Sequence, residues 1–309
     1  MQIRTGTATI TGDDGADLDI YYEDFGDPAA PPVLLIMGLG AQLLLWRTGF
    51  CERLVNRGFR VIRYDNRDVG LSGKLHGRRA EAKLIPAMAR SFLGRPSPSV
   101  YTLEHMADDA AALLDHLGID RAHIVGASMG GMIAQIFAAR YRRRTAGLGI
   151  IFSSNNAALL PPPAPRALLA LIKGPSPDSP REVIVENSVR VSKIIGSPGY
   201  PTPEHTLRAE AIEGYERAHY PQGIARHFGA VLGSGSLKRY DRQITAPTVV
   251  IHGRADKLMR PAGGRAIASA IPGARLVLFD GMAHDLPVAL WGDIIGELVI
   301  TFAAFAAAH

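Results

Sequence analysis

Residues 126–131 read Gly-Ala-Ser-Met-Gly-Gly, and this stretch decides the fold. The apolar run at residues 122–125 predicts a short strand before it, and residues 129–140 have the spacing of an amphipathic helix after it. A G-x-S-x-G motif between a strand and a helix forms a very sharp turn, so the residues two positions from the serine must be small. The turn also places Ser128 at a helix N-terminus, where free amides and the helix dipole stabilise negative charge. We therefore predict that Ser128 is a nucleophile, against the alternative that a five-residue pattern has arisen by chance.

The segments on either side of this turn alternate between short apolar runs and amphipathic stretches. The apolar runs predict strands at residues 18–23, 33–37, 60–64, 147–152, 248–251 and 275–279. The amphipathic stretches predict helices at residues 50–56, 103–117, 261–270 and 288–307. We expect residues 18–23 at the edge of the sheet and residues 33–37 in its buried interior. This alternation predicts an α/β fold with a mostly parallel, twisted sheet and helices on both faces.

The alternation stops between residues 155 and 240. Prolines are frequent there, and they separate short helical stretches predicted at residues 166–172 and 181–195. A disordered linker is the alternative, but apolar residues such as Val183, Val189 and Ile194 argue against it. We therefore predict a helical cap at residues 155–240, inserted into a core domain of residues 1–154 and 241–309.

Two further residues are suited to activate a serine. His284 lies in a glycine-containing loop after the last predicted strand, and histidine titrates near neutral pH, so it is the expected general base. Asp256 follows another predicted strand and is expected to orient the histidine. The order Ser…Asp…His is the one that accompanies G-x-S-x-G. The other candidates for the acid are Asp241, Asp280, which would have to fold back onto His284, and Asp285, whose side chain should diverge from its neighbour's.

A glycine-rich turn, Met-Gly-Leu-Gly at residues 37–40, directly follows a predicted strand. Acyl transfer builds negative charge on the carbonyl oxygen, so two backbone amides must point at that atom. We predict that the amides of Leu39 and Met129 form this oxyanion hole, although a loop that only reverses the chain would need the same glycines. The expected substrate contacts are Gly38, Trp46, Leu168 and Leu171. Apolar residues of this kind serve packing as well as binding, and here they indicate an apolar acyl or ring-bearing substrate.

Composition and charge limit the partners. The chain has 309 residues, 47% of them hydrophobic, which is sufficient for a sizeable core. It contains no uninterrupted apolar run of about 18 residues and no secretory signal pattern, so we expect no membrane span and a cytoplasmic location. The net charge of +5 comes largely from arginines spread along the chain, so no nucleic-acid partner is expected, and contact with an anionic lipid surface stays open. Nothing in the sequence indicates the oligomeric state.

Together these motifs resemble the α/β-hydrolase superfamily across nearly the whole chain. Residues 65–72, Asp-Asn-Arg-Asp-Val-Gly-Leu-Ser, are similar to the family's structural turn D-x-R-x-x-G-x-S. With the turns at residues 37–40 and 126–130, they look most like actinobacterial carboxylesterases and lipases, a branch with aclacinomycin methylesterase-like and mycobacterial lipase/esterase-like enzymes. The usual His-Gly before the oxyanion turn is Met37-Gly38 here, which leaves the predicted triad complete. The resemblance implies the α/β-hydrolase fold with an inserted helical cap.

The resemblance also implies a reaction. It indicates a hydrolase that uses no metal or cofactor and cleaves a small-molecule or lipid ester, or a thioester, through an acyl-enzyme intermediate. A serine rather than an aspartate at position 128 argues against haloalkane dehalogenases and epoxide hydrolases. Cofactor-free haloperoxidases or perhydrolases and carbon–carbon bond hydrolases use the same triad and stay open as alternatives. A hydrolase-like protein that only binds a small molecule is a further alternative.

Overall fold

An eight-stranded sheet forms the centre of the computed structural model, which describes residues 3–12, 15–78, 83–176 and 178–306. The strands are β1 (Ile3–Thr11), β2 (Asp17–Phe25), β3 (Pro32–Ile36), β4 (Arg60–Tyr64), β5 (Ala122–Ala127), β6 (Thr145–Ile151), β7 (Thr248–Gly253) and β8 (Arg275–Phe279). Their order across the sheet is β1-β2-β4-β3-β5-β6-β7-β8. The pairs β1–β2 and β2–β4 are antiparallel, and every later pair is parallel. The predicted mostly parallel α/β sheet is therefore confirmed.

Helices cover both faces of this sheet. They are α1 (Thr48–Val55), α3 (Leu103–His116), α4 (Met129–Arg140), α10 (Pro261–Ala270) and α11 (Trp291–Ala306), whereas α2 (Leu84–Phe92) packs against a helix of the later insertion. The alternating side chains of β3 show the two layers. Leu34 packs into the core that contains α3 and α4, whereas Leu35 packs into the core that contains α1 and α11. Burial on both faces explains why β3 is a continuous apolar run instead of an alternating one.

Four helices lie in the chain between β6 and β7. They are α5 (Pro165–Ile172), α6 (Arg181–Ile195), α7 (Glu204–Arg217) and α8 (Pro221–Ser234), and the short α9 (Lys238–Asp241) leads back to the sheet. Proline begins α5 and α8, a position where its missing N–H costs no hydrogen bond. At the base, the Leu237 N–H donates to the Asn155 carbonyl at 2.8 Å, and Asn155 Nδ2 donates to Asp241 at 2.7 Å. Since the two ends of this insertion meet, we propose that it is the cap.

The structure differs from the sequence prediction at three helices that were not predicted, α2, α7 and α8, and near the termini. Residues 18–23 belong to β2, which is not at the edge, because β1 pairs with its outer side. In β1 only Ala8 and Ile10 are buried, so the strand carries little apolar signal. The last helix begins at Trp291, after a 3-10 turn at Val288–Leu290, and its predicted end at residue 307 lies outside the described residues. Among the helices of the described chain, none has the length and apolar character needed to cross a membrane.

Candidate active site

Ser128 sits in a strained turn between β5 and α4. Its φ of +56° lies in the left-handed region that non-glycine residues seldom adopt. A Cβ added to Gly126 would lie 2.1 Å from the Gly130 carbonyl oxygen, and one added to Gly130 would lie 2.1 Å from the Ile36 carbonyl oxygen. Both positions therefore exclude any side chain, which is the steric reason for the motif. The Ser128 N–H donates to the carbonyl of Ile151 in β6 at 2.9 Å and so holds the turn against the sheet.

The structure brings Ser128, His284 and Asp256 together in one hydrogen-bonded chain. Ser128 Oγ lies 3.0 Å from His284 Nε2, and His284 Nδ1 lies 2.8 Å from Asp256 Oδ2. The second carboxylate oxygen of Asp256 accepts the N–H groups of Leu258 at 2.8 Å and Met259 at 2.9 Å. Since the buried carboxylate accepts the proton on Nδ1, Nε2 is left as the acceptor for the serine hydroxyl.

The other acidic residues considered for this position have different partners. Asp280 is 90% exposed and pairs with Arg254 at 2.8 Å, so it faces away from the histidine. Asp241 accepts a hydrogen bond from Asn155 at the base of the insertion. Asp285 accepts a hydrogen bond from the Ser197 hydroxyl, and burial raises the pKa of its carboxyl. Of the four carboxylates, Asp256 is the one that contacts the ring of His284.

The turn at residues 37–40 lies directly against Ser128. A Cβ on Gly38 would be 3.0 Å from Ser128 Cβ and 3.4 Å from Ser128 Oγ, so a side chain at this position would force the turn or Ser128 to shift. Asn66 Nδ2 donates to the Met37 carbonyl at 2.9 Å and anchors the start of the turn. The N–H of Met129 is among the first-turn donors that an α-helix leaves unpaired. The two predicted oxyanion donors, Leu39 and Met129, therefore belong to segments that both adjoin Ser128.

A cavity of about 650 Å³ opens onto these residues. Ser128 and His284 form part of its wall, and most of the remaining lining is apolar. The apolar lining includes Leu39, Phe92, Leu168, Leu171, Leu207 and Phe228. The predicted contacts Gly38, Leu168 and Leu171 are all in the wall. The volume is within the range of pockets that enclose a small organic ligand, roughly 300–1,000 Å³.

Trp46 is the predicted substrate contact that the structure places elsewhere. Its side chain is fully buried in the core, with its ring 5.5 Å from the ring of Phe50. The neighbouring residues Leu45 and Arg47 line the cavity instead. The prediction that Trp46 contacts substrate is therefore wrong. Successive residues around the helical turn at Leu43–Leu45 point in different directions, and burial favours the large indole on the core side.

Two residues of the inserted segment contact the loops of this site, one between α6 and α7 and one on α8, and no sequence motif marks them. The hydroxyl of Ser197 accepts the Ala283 N–H at 2.8 Å, beside His284. His227 Nδ1 accepts the Gly40 N–H at 3.0 Å, beside Leu39. The partners are 86 and 187 positions apart along the chain, so a local pattern could not have revealed either contact.

Comparison with known proteins gives matches that extend over almost the whole chain. A family model described as alpha/beta hydrolase fold matches residues 31–173. The rhodomycin D methylesterases of Streptomyces peucetius and Streptomyces sp. (strain C5) are each 30% identical over 305 residues, covering 92% of this chain and 94% of those proteins. The solved structure of a hydrolase from Pseudomonas aeruginosa superposes with a TM-score of 0.68 at 25% identity, covering 96% of this chain and 98% of that one.

Proposed function

Because this chain belongs to the α/β-hydrolase family, we propose that it is a serine esterase that cleaves a carboxylic ester or thioester, with Ser128, Asp256 and His284 as its triad. The observation that carries the proposal is the hydrogen-bonded chain from Ser128 Oγ through His284 to Asp256, in the wall of an apolar cavity. A serine hydroxyl becomes nucleophilic when an oriented imidazole takes its proton, and this geometry supplies such an imidazole.

The reaction follows from the positions of these groups. Ser128 Oγ attacks the carbonyl carbon while its proton passes to His284 Nε2, and Asp256 stabilises the imidazolium. The N–H groups of Leu39 and Met129 stabilise the charge on the carbonyl oxygen. Collapse of this intermediate releases the alcohol or thiol, which takes the proton from His284, and leaves an acyl-serine. A water molecule, deprotonated by His284, then hydrolyses the acyl-serine to the carboxylic acid and restores Ser128.

The cavity supports an uncharged substrate with a large apolar acid portion. The cations that reach the wall already have hydrogen-bond partners: Arg47 pairs with Glu210 at 2.8 Å, Lys193 pairs with Glu204 at 2.5 Å, and Arg260 donates to the Pro162 carbonyl at 2.8 Å. The remaining surface is mostly apolar and favours an apolar acyl or ring-bearing group. The two methylesterases named above add a further indication, so the substrate class we propose is a methyl or other small alkyl ester of such an acid.

The test of this proposal is turnover of methyl and p-nitrophenyl esters by the purified protein, with Ser128→Ala as the matched variant. Loss of a triad nucleophile lowers turnover by about 10⁶, so the variant should be inactive while remaining folded. A fluorophosphonate should label the protein at Ser128, as located by peptide mass spectrometry. Labelling at another residue would refute the assignment of the nucleophile.

The alternatives that share the triad are separated by their substrates. Peroxide-dependent halide oxidation that exceeds ester turnover would indicate a perhydrolase, and cleavage of a vinylogous diketone would indicate a carbon–carbon bond hydrolase. Thermal stabilisation by an ester without any turnover would indicate a protein that only binds its ligand.

A further inference from the structure

We propose that the cap positions the catalytic groups themselves, with Ser197 holding the loop of His284 and His227 holding the loop of Leu39. This inference rests on the proposed esterase function and adds two positioning residues to it. It gives the cap a role in turnover that is separate from choosing the substrate.

The loop that carries His284 is bound to the cap segment between α6 and α7. The Gly199 N–H donates to the Gly281 carbonyl at 2.9 Å, and the His284 N–H donates to the Ile195 carbonyl at 3.0 Å. Between these two bonds lies Ser197, which is 3% exposed. Its hydroxyl accepts the N–H of Ala283 at 2.8 Å and donates to the carboxylate of Asp285. Four hydrogen bonds thus tie the residues around His284 to the cap.

This loop has little regular structure of its own to hold it. It follows β8 without entering a strand or helix, and it turns at Gly281 with a φ of +72°. The loop is also bound to the segment after β7, since the Ala255 N–H donates to the Met282 carbonyl of the loop at 2.9 Å. A displacement of about 1 Å in a catalytic group can cost 10²-fold in rate, so the four cap bonds bear directly on the position of His284.

The second contact is made by His227 on α8, which is fully buried. Its Nε2–H donates to the Arg67 carbonyl at 2.7 Å, and its Nδ1 accepts the Gly40 N–H at 3.0 Å. Burial lowers the pKa of His227 to about 4, so at neutral pH the ring is uncharged and Nδ1 can accept. The Gly40 N–H belongs to the peptide between Leu39 and Gly40, so this bond holds the peptide directly after the one whose N–H is the predicted oxyanion donor.

α8 is itself firmly attached to the core. Arg226, next to His227, binds both carboxylate oxygens of Asp68 at 2.7 and 2.8 Å, and all the groups involved are buried. The Tyr101 hydroxyl donates to the same carboxylate at 2.8 Å. His227 is thus presented from a rigid support, as a positioning residue requires.

Ser197→Ala tests the first contact, and Ser188→Ala is its matched control. The Ser188 hydroxyl donates within α6, to the Ile184 carbonyl at 3.0 Å, so its loss should leave the kinetics unchanged. In Ser197→Ala we expect kcat on a small p-nitrophenyl ester to fall about 10- to 100-fold, with KM within about twofold of the wild type. Ser197→Thr, which keeps the hydroxyl, should recover most of the lost kcat.

His227→Phe and His227→Asn test the second contact. Phenylalanine keeps the ring volume and loses both hydrogen bonds, whereas asparagine keeps a side-chain acceptor near the position of Nδ1. We expect kcat to fall about 10- to 100-fold in His227→Phe and to be largely retained in His227→Asn, again at nearly constant KM. Each assay is run well below the measured Tm of the variant, so that only folded protein is compared.

The outcomes separate this inference from the proposed function. An active wild type with an equally active, folded Ser197→Ala variant would overturn the role of Ser197, and equal activity in His227→Phe would overturn that of His227. If a variant loses stability but keeps kcat in its folded state, its contact is only structural and the inference fails. A wild type that neither hydrolyses esters nor reacts with a fluorophosphonate would instead refute the proposed function.

Discussion

Replacing Asp256 by asparagine tests how the proposed triad controls the tautomer of His284. Asp256 Oδ1 accepts the N–H groups of Leu258 and Met259, and Oδ2 lies 2.8 Å from His284 Nδ1. An asparagine can keep both backbone bonds only if its carbonyl oxygen stays at the Oδ1 position. Its NH2 group then faces Nδ1 as a donor, so Nδ1 must accept and the ring proton must move to Nε2.

A histidine protonated on Nε2 cannot accept the hydroxyl proton of Ser128. We therefore expect Asp256→Asn to lower kcat by about 10⁴, the loss found when asparagine replaces the acid of another serine triad. This factor corresponds to about 5 kcal/mol of transition-state stabilisation. Because asparagine has nearly the same shape and keeps both backbone hydrogen bonds, the Tm should change little.

Steady-state kinetics on a p-nitrophenyl ester and thermal unfolding measure these two effects. Asp280→Asn is the matched control, since that carboxylate is 90% exposed and pairs with Arg254, and it should keep wild-type turnover. Turnover within tenfold of the wild type in Asp256→Asn would refute the reasoning. If Asp280→Asn lost activity instead, Asp280 would be the acid.

Three further predictions concern Leu171 in the cavity wall, Gly38 beside Ser128 and the buried carboxyl of Asp241. Leu171→Ala should change the discrimination between short and long acyl esters by about 1–3 kcal/mol, measured as the ratio of the two activities. Leu169→Ala, whose side chain is exposed on the same helix, should leave this ratio unchanged. Identical chain-length profiles in the two variants would show that selectivity lies elsewhere. Gly38→Ala should lower kcat/KM at least tenfold with the fold retained, because the added Cβ would lie 3.0 Å from Ser128 Cβ; an unchanged kcat/KM would show that the turn can shift without loss. Burial raises the pKa of Asp241 to about 7, so its ionisation opposes folding, and this loss of stability grows as pH rises from about 4 to above 7. At pH values above 7, Asp241→Asn should therefore have a higher Tm than the wild type, and the difference in Tm should shrink as the pH falls toward 4. A difference in Tm that does not depend on pH would contradict this reasoning.

Much of the fold could be predicted from the sequence because its signals are local. The buried strands β3, β6 and β7 contain short apolar runs, and the sharp turn at Ser128 requires glycines at fixed spacing. The α/β-hydrolase fold and family are confirmed. The edge strand β1 was not predicted, because only two of its residues are buried and the exposed threonines around them leave little apolar pattern.

The candidate site could be predicted from the topology of a parallel sheet. In a parallel sheet, the residues after successive strands meet at one edge, so Ser128, Asp256 and His284 could be proposed as neighbours from their places in the chain. The structure brings these three side chains within hydrogen-bond distance, and their catalytic roles stay predictions for the experiments above.

The sequence by itself determined which strands Ser128, Asp256 and His284 follow, and which residue types lie at that edge of the sheet. Tertiary structure alone decided which side chains face the cavity and what holds the two loops. Trp46 turned into the core, because the packing of a whole helical turn sets the direction of each side chain. Ser197 and His227 contact the loops from the inserted segment, which is far away in sequence. Such contacts depend on how separate elements pack in space, and no local pattern of residues encodes that.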